Sequence, residues 1–422
     1  MIKNLLKRLF RPFFRNYHLT QWAKTITSSR RERKGIVSDY KRLYKIKGLT
    51  TDEYRDFEFD KQSEEFRQSF LGLNEQRFYL DYLNPVKYCS LARNKFMTHK
   101  MLEDTGVRTS VLYCYYQPEG NVFSSDMIAN NVQAVCRILK QKNVSQCVVK
   151  TTESSHGDNV YVVNQIDYEE NDCTFILYNG EKVRLSKLLG LNPMIFESVI
   201  KQTSQFAAFN PSSVNTVRFM TALYPDGKAR LVCNFIKIGR AGHCVDNAGK
   251  GGNVDGHIDN ETGVLKDMIE FHGWRQTQAI THHPDSGALL EGVKIDNWKD
   301  IVAQVLHFQE CFPYCKVAGW DIAITDQGPI VIEVNDFWDR TGQLFIRRGW
   351  RNEIRECYFA WREYWYNMRN GEDITNNTIK PSSNSKGNDL QILQTKEGKE
   401  YRKFRLPNAL KHSHLIRIAS HE

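Results

Sequence analysis

The stretch that most constrains this chain is residues 319–335, GWDIAITDQGPIVIEVN, where two carboxylates and an amide interrupt otherwise apolar strand sequence. Residues 320–324 and 330–334 are apolar or β-branched runs on either side of Thr325-Asp326-Gln327-Gly328, a hairpin signal with glycine at a turn position. A turn symmetric about Gln327 sets Asp321 opposite Glu333, and the strand period of two keeps Asn335 on the face of Glu333. Two carboxylates facing each other among apolar neighbours repel unless a cation joins them. Three oxygen ligands on one patch suit a hard divalent ion, Mg2+ or Mn2+, with positions left open for phosphate oxygens. The alternative, a solvated hairpin with scattered acids, is disfavoured by the apolar run Ile330, Val331 and Ile332.

A chain of 422 residues, 41% hydrophobic and 25% charged, is an ordinary soluble composition with room for two or three lobes. Its 10 cysteines are too sparse for a disulfide scaffold and none forms a CxxC pair. Cys311 and Cys315 read as thiols of a reducing cytoplasm rather than half of a zinc site. The net charge of +9 is local: the first 50 residues hold 14 Lys or Arg against Glu32 and Asp39, so the remainder is close to neutral. With no zinc-finger, RNP-like or homeodomain-like pattern, nucleic acid is not an expected partner. Ile2, Leu5, Leu6, Leu9 and Phe13 follow helical spacing among Lys3, Lys7, Arg8, Arg11 and Arg15, with Pro12 interrupting. Residues 1–16 thus read as an interfacial helix for an anionic bilayer, or as a helix docked on the protein's own core. They are too short and charged to span a membrane and lack a secretory cleavage site.

The chain divides into a basic amphipathic segment (1–36), a helical N-terminal lobe (37–90), two α+β lobes (91–195 and 196–350), and a C-terminal helix with a polar tail (351–422). Helices are expected near 38–45, 51–70, 94–103, 125–139 and 298–311. Strands are expected at 107–116, 147–150, 160–163, 194–200, 216–223 and 230–238, the last two joined by the turn Pro225-Asp226-Gly227. Residues 239–259 contain six glycines and read as a place of close backbone approach or a covering loop.

Lys150 closes the run Gln146-Cys147-Val148-Val149 and precedes Thr151-Thr152-Glu153-Ser154-Ser155-His156-Gly157. A lysine at a buried strand end, followed by hydroxyls and a glycine, suits a phosphate, although neither GxxxxGK[ST] nor GxGxxG occurs. Lys95, Lys150, Arg218 and Arg240 supply cations while Asp321, Glu333 and Asn335 supply metal ligands, the composition of a site for a metal-bound polyphosphate. No GxSxG, HExxH or Ser/His/Asp set is present. His282-His283, followed by Pro284-Asp285, lacks a third ligand and reads as loop near the site.

The motifs Asn94-Lys95, Val148-Val149-Lys150, Asn215-Thr216-Val217-Arg218, Gly239-Arg240-Ala241-Gly242, Asp246-Asn247 with Gly251-Gly252, His283-Pro284-Asp285, Gly319-Trp320-Asp321 and Glu333-Val334-Asn335 occur in that order. Over roughly residues 37–350 the chain resembles the ATP-grasp superfamily, and within it the subgroup associated with sugar transfer and surface-polysaccharide gene clusters. The resemblance implies an α+β ATP-grasp fold, two lobes gripping ATP, with an additional mainly helical N-terminal region. It implies Asp321, Glu333 and Asn335 as ligands of Mg2+ or Mn2+. Lys95 and Lys150 would contact ATP phosphates, with Ser154, Ser155, His156 and Gly157 in the covering loop. Glu197 falls where the inter-lobe strand passes adenine and ribose, Arg218 steadies the transferring phosphate or a substrate carboxylate, and Arg240 with Asn247 closes the acceptor side. One departure is the phosphate loop: relatives carry Lys-Pro and several glycines, whereas here Lys150-Thr151 is followed only by Gly157, leaving Ser154, Ser155 and His156 to supply hydrogen bonds.

The activity implied is ATP-dependent carboxylate–amine ligation through an acyl phosphate, on a small-molecule or lipid-linked sugar or amino acid of surface-polysaccharide synthesis. The location implied is cytoplasmic, peripheral at the inner face of the membrane through residues 1–16. A saccharide kinase of the same fold and a non-catalytic assembly factor are the alternatives. Replacing Asp321 or Glu333 by Ala is expected to abolish metal-dependent ATP turnover and leave the fold largely intact.

Overall fold

The computed structural model describes residues 17–120, 126–153, 159–243, 246, 252–273 and 275–369. Its contacts divide it into two units: residues up to Tyr82 together with those from Arg348, and residues Leu83–Arg347.

The first unit is helical. Helices Arg30–Lys47, Thr51–Asp56 and Glu64–Ser69 each start at a hydroxyl that accepts a backbone N–H three residues on: Ser29 from Glu32, Thr50 from Glu53 and Ser63 from Phe66. Thr50 and Glu53 complete a reciprocal capping box. The single helix expected over 51–70 is two, because Glu58 turns into the left-handed region at φ 51° and Ser63 starts a new helix. Tyr40, Tyr54, Phe57, Phe59, Phe66 and Phe70 form an aromatic core, with the Phe57 and Phe70 rings 4.8 Å apart. Helix Arg351–Arg369 belongs to this unit, and its Arg351 donates to Glu75 at 2.7 Å.

The second unit contains two seven-stranded sheets. The first comprises β1 (Leu112–Tyr116), β2 (Ile128–Ala129), β3 (Cys147–Thr151), β4 (Val160–Tyr168), β5 (Cys173–Leu177), β6 (Lys182–Arg184) and β7 (Met194–Glu197), in the order β2-β1-β7-β3-β4-β5-β6. The last strand in sequence therefore lies between β1 and β3. Helix Val132–Gln141 lays Val135, Cys136, Ile138 and Leu139 on this sheet, against Val149, Val163, Phe175 and Phe196. The expected helix at 125–139 begins later because residues 128 and 129 pair with β1. Cys136 of this helix is joined to Cys173 of β5 by a disulfide that the cysteine spacing gave no reason to expect, while Cys311 and Cys315 are free thiols.

The second sheet is antiparallel throughout: β8 (Thr216–Leu223), β9 (Ala229–Ile238), β10 (Val254–Ile258), β11 (Leu265–Phe271), β12 (Thr277–Ala279), β13 (Val317–Thr325) and β14 (Gly328–Asn335), in the order β12-β11-β10-β9-β8-β13-β14. One face packs Val217, Phe219, Ile236, Trp320 and Ile322 into a core shared with helix Trp298–Cys311, whose bounds match the sequence reading. Strand alternation sends Thr216, Arg218, Lys237 and Asp321 to the opposite face. The glycine-rich region is not all loop, since β10 lies within it. A Cβ on Gly256 would come within 2.1 Å of Met268 Sδ, so glycine here permits close approach of β11.

The hairpin carries a correction. Thr325 pairs with Gly328, so the turn is the two residues Asp326 and Gln327 and is not centred on Gln327. That register alone would oppose Asp321 to Ile332. A β-bulge between the pairs Ile322–Val331 and Asp321–Glu333 supplies the extra residue, and Asp321 does face Glu333 while Gly319 faces Asn335.

Candidate functional site

The segment leading into β1 runs beside β14: Thr109 bridges to Val331, whose N–H donates to Arg108 O at 2.9 Å. Lys95 is held on the first turn of helix Lys95–Asp104 because Asn94 caps that helix by accepting the Met97 N–H at 3.1 Å. Its ammonium lies 3.8 Å from Glu333 Oε1. Burial pulls the Lys95 pKa down, opposed by Glu333 and reinforced by Lys150. On the adjacent strands β3 and β7, Lys150 faces Ile195 and Glu197 faces Val148, so Lys150 and Glu197 are diagonal neighbours on one face and form a buried ion pair. Ser110 Oγ donates to the other Glu197 oxygen at 2.8 Å. His99, one turn after Lys95, is buried with Nε2 unpartnered, and burial lowers its pKa. Lys95, His99, Ser110, Glu197 and Glu333 line a cavity of about 20 Å3.

Across β8, β9 and β13 the charge is denser. Arg218 grips Asp321 with two parallel hydrogen bonds, Nε to Oδ1 at 2.6 Å and Nη2 to Oδ2 at 2.7 Å. Lys237 Nζ adds a third contact, 3.0 Å from Asp321 Oδ1, and stands 4.0 Å from Asp246 Oδ1. Burial alone would raise the Asp321 pKa, but Arg218 and Lys237 outweigh it and hold the carboxyl well below the usual range. Burial likewise disfavours charged Lys237, and Asp246 and Asp321 more than compensate, leaving its pKa raised. Asp246 Oδ2 accepts the Thr216 N–H at 2.8 Å and the Thr216 hydroxyl. Asp255, opposite Lys237 across β9 and β10, is fully buried with neither oxygen hydrogen-bonded; burial pushes its pKa to about 8, against the pull of Lys237.

The residues named from sequence separate into three groups. Lys95, Lys150, Glu197, Glu333, Arg218 and Asp321 belong to the charged surfaces just described. Arg240 is spent on a loop: it makes two 2.7 Å hydrogen bonds to Asp285, one of 3.0 Å to Gly252 O, and an ion pair with Glu270. His283 braces that loop by bonding Gly239 O at 2.9 Å, while His282 bonds its neighbour Thr281. Ser154, Ser155, His156, Gly157 and Asn247 lie outside the described residues. Sequence reasoning missed Lys237, Asp255, Ser110 and His99. A lysine inside the apolar run Phe235-Ile236-Lys237-Ile238 carries the same signal that exposed the hairpin acids.

As donors, Asp321, Glu333 and Asn335 have the oxygen chemistry that a hard divalent ion takes. Among the described residues no three His, Cys, Asp or Glu cluster as a metal site, but the set at issue is two carboxylates and an amide. Asp321 and Glu333 are cross-strand partners, and Asn335 stands two residues along β14 from Glu333, where its amide oxygen would be the ligand atom. Such a sparse oxygen set suits Mg2+ or Mn2+, which keep waters and take phosphate oxygens as further ligands.

Residues 74–357, two thirds of the chain, match the sequence profile of a family described as sugar-transfer-associated ATP-grasp. The chain belongs to the sugar-transfer-associated ATP-grasp family. Its α+β architecture, with two sheet-bearing lobes and a helical N-terminal region, is that of an ATP-grasp protein. Family membership implies use of ATP and a divalent metal in general terms. Similar solved structures include the ATP-grasp ligase PsnB complexed with a minimal precursor, at 13% identity and TM-score 0.36, covering 66% of this chain and 63% of that one. The D-alanine–D-alanine ligase of Bacillus anthracis matches at 12% identity and TM-score 0.37, covering 67% and 72%. Phosphoribosylamine–glycine ligase of Thermotoga maritima matches at 10% and 0.40, covering 70% and 61%. This chain thus spans less than two thirds of the length of PsnB. Likenesses this distant carry no argument about activity, and no functionally curated protein matches the sequence.

Proposed function

We propose that this ATP-grasp protein is an ATP-dependent carboxylate–amine ligase acting on a sugar or amino acid of surface-polysaccharide synthesis. The observation that carries the reading is the convergence of Lys95 on Glu333, 3.8 Å apart, beside the cross-strand pair Asp321–Glu333. Phosphate-binding cations thereby adjoin a ligand set for a divalent ion. A metal ion held by Asp321, Glu333 and Asn335 would neutralise phosphate oxygens.

The protein's own residues supply the rest. Lys95 and Lys150 hold the ATP phosphates, and Arg218 orients the substrate carboxylate for in-line attack on the γ-phosphorus. A carboxylate oxygen bonds to that phosphorus as the bond to ADP breaks. The amine then attacks the acyl carbon, phosphate departs, and the nitrogen loses a proton to give the amide. No side-chain nucleophile is required, in keeping with the lack of a recognisable triad. Arg240, together with Asp285, keeps the acceptor-side loop in shape. Glu197 orients Lys150.

Residues 91–195 and 196–350 act as the two gripping lobes. Residues 1–16, outside the described part, would bring the enzyme to the anionic cytoplasmic face of a membrane. No helix among the described residues is long and apolar enough to cross one. A chain lacking residues 1–16 is expected to lose binding to anionic vesicles.

The decisive experiment measures ADP release across a matrix of uronic acids, amino acids and amines, with mass detection of products. ADP release that needs both a carboxylate and an amine, with a product one water lighter than the pair, is expected. A phosphorylated hydroxyl formed without amine would make the protein a kinase. Absence of turnover with every pair would favour an assembly factor.

A further inference from the structure

Lys237 is the centre of a charge arrangement wider than the metal site. The sheet register puts Thr216 on one side of it and Asp255 on the other, and residues directly opposite in adjacent strands share a face. Its ammonium contacts Asp321 at 3.0 Å and stands 4.0 Å from Asp246. Asp246 is already engaged with both the N–H and the hydroxyl of Thr216. Asp255 differs from both: it is 0% exposed and neither oxygen has a hydrogen-bond partner. A buried carboxyl without a partner costs free energy in the state where it stands alone.

Charge balance suggests when Asp255 would gain one. Asp321 accepts three charge-assisted hydrogen bonds, two from Arg218 and one from Lys237. An ammonium bonded to Oδ1 occupies a lone pair that a divalent ion would need and also repels that ion. Retreat of Lys237 from Asp321 brings it toward its cross-strand neighbour, where two acceptor oxygens are idle.

We propose that Asp255 is a positioning residue that takes the Lys237 ammonium when Asp321 turns to the metal ion, so that Lys237 alternates between two carboxylates. This rests on the reading of Asp321 and Glu333 as metal ligands. The upward shift of Asp255 agrees with it, since a carboxyl that is neutral for much of the time can stand unpartnered and then ionise as the ammonium arrives.

The test uses the full chain and a non-hydrolysable ATP analogue, and reads the factor by which Mn2+ tightens binding of the analogue. Asp255→Asn is expected to reduce that factor about tenfold, because the displaced ammonium is left with Asp246 alone, 4.0 Å away and already engaged with Thr216. Lys237→Met is expected to retain the factor, and adding Asp255→Asn to Lys237→Met should change it no further, there being no ammonium to receive. Thermal unfolding should show Asp255→Asn at least as stable as the native chain, which separates positioning from a structural defect. An unchanged factor in Asp255→Asn, or an equal tenfold loss in the Lys237→Met background, would overturn the proposal. If Asp255→Asn does not fold, Lys237→Met alone still decides: loss of the Mn2+ effect in it would overturn the proposal. Glu333→Gln separates the two readings. Should Glu333→Gln keep the native Mn2+ effect, the metal-site reading fails and the proposal with it; should it lose the effect while Asp255→Asn keeps it, only the alternating lysine fails.

Discussion

On β3 and β7 one ammonium meets one carboxylate, Lys150 on Glu197, with Ser110 filling the second oxygen. On β8, β9, β10 and β13, by contrast, two cations face Asp321, Asp246 and Asp255, and one of these carboxyls has no partner. Both arrangements bury charge, but they respond differently to its removal. A closed pair loses its whole compensation when either member is deleted, whereas a network with a spare acceptor can redistribute. The first holds a lysine in one orientation. The second is suited to a site whose charge changes as ligands come and go.

The largest expected effect breaks this comparison at its densest point. Asp321→Ala should lower ADP release by about 10^2- to 10^3-fold, the scale of losing one preorganised electrostatic contact. It should also cost about 3 kcal/mol of stability in urea titrations, because Arg218 is left buried without the carboxylate it grips, whereas Lys237 keeps Asp246 and can turn to Asp255. The sequence expectation that this variant keeps the fold largely intact is tested by the same unfolding measurement. Glu333→Ala, with its side chain 33% exposed, should lose the same activity with little change in unfolding midpoint. Equal stability losses in the two variants would contradict the contrast drawn between them.

Next comes the closed pair. Lys150→Met should destabilise by about 3 kcal/mol by stranding Glu197, and Lys150→Met with Glu197→Gln should recover most of it. A double variant no more stable than the single one would mean that Ser110 and the backbone already compensate Glu197.

A smaller, pH-dependent effect probes the spare carboxyl. The folded-state pKa of Asp255 is raised to about 8 from an ordinary 3.8, so its protonated form favours the folded chain. The contribution is complete below about pH 4 and is lost as pH rises toward and through 8. Asparagine does not titrate, so the advantage of Asp255→Asn over the native chain in thermal midpoint should grow between pH 5 and pH 8. A constant difference would show that Asp255 is ionised across the range. Smallest of all, Arg240→Gln should cost about 1 kcal/mol through its lost hydrogen bonds to Asp285, with a lesser effect on turnover. A loss of turnover as large as that of Asp321→Ala would put Arg240 in contact with substrate.

The legible part of the site was the part with local periodicity. Apolar alternation interrupted by Asp321, Glu333 and Asn335 marked both a strand pair and a polar patch on it, because strand geometry fixes which side chains share a face. The pairing of Asp321 with Glu333 was right although the turn was not centred where expected, since the bulge before Glu333 offsets the shorter turn. Asn94 at a helix start and Lys150 at a strand end were readable for the same local reasons. Asp255 was hidden because the glycines around it read as loop, and nothing in the sequence marks Gly256 as a strand residue packed on Met268.

The sequence by itself determined the family, the α+β class and the residue types that can hold phosphate and metal, because these depend on spacing along one chain. Tertiary structure alone decided which charges compensate one another. Glu197 meets Lys150 because β7 inserts between β1 and β3, and Lys237 stands between Asp321 and Asp255 because β9 has β10 on one side and β8, then β13, on the other. Sheet order brings together residues far apart in sequence, and a buried charge is stabilised by its neighbours in space.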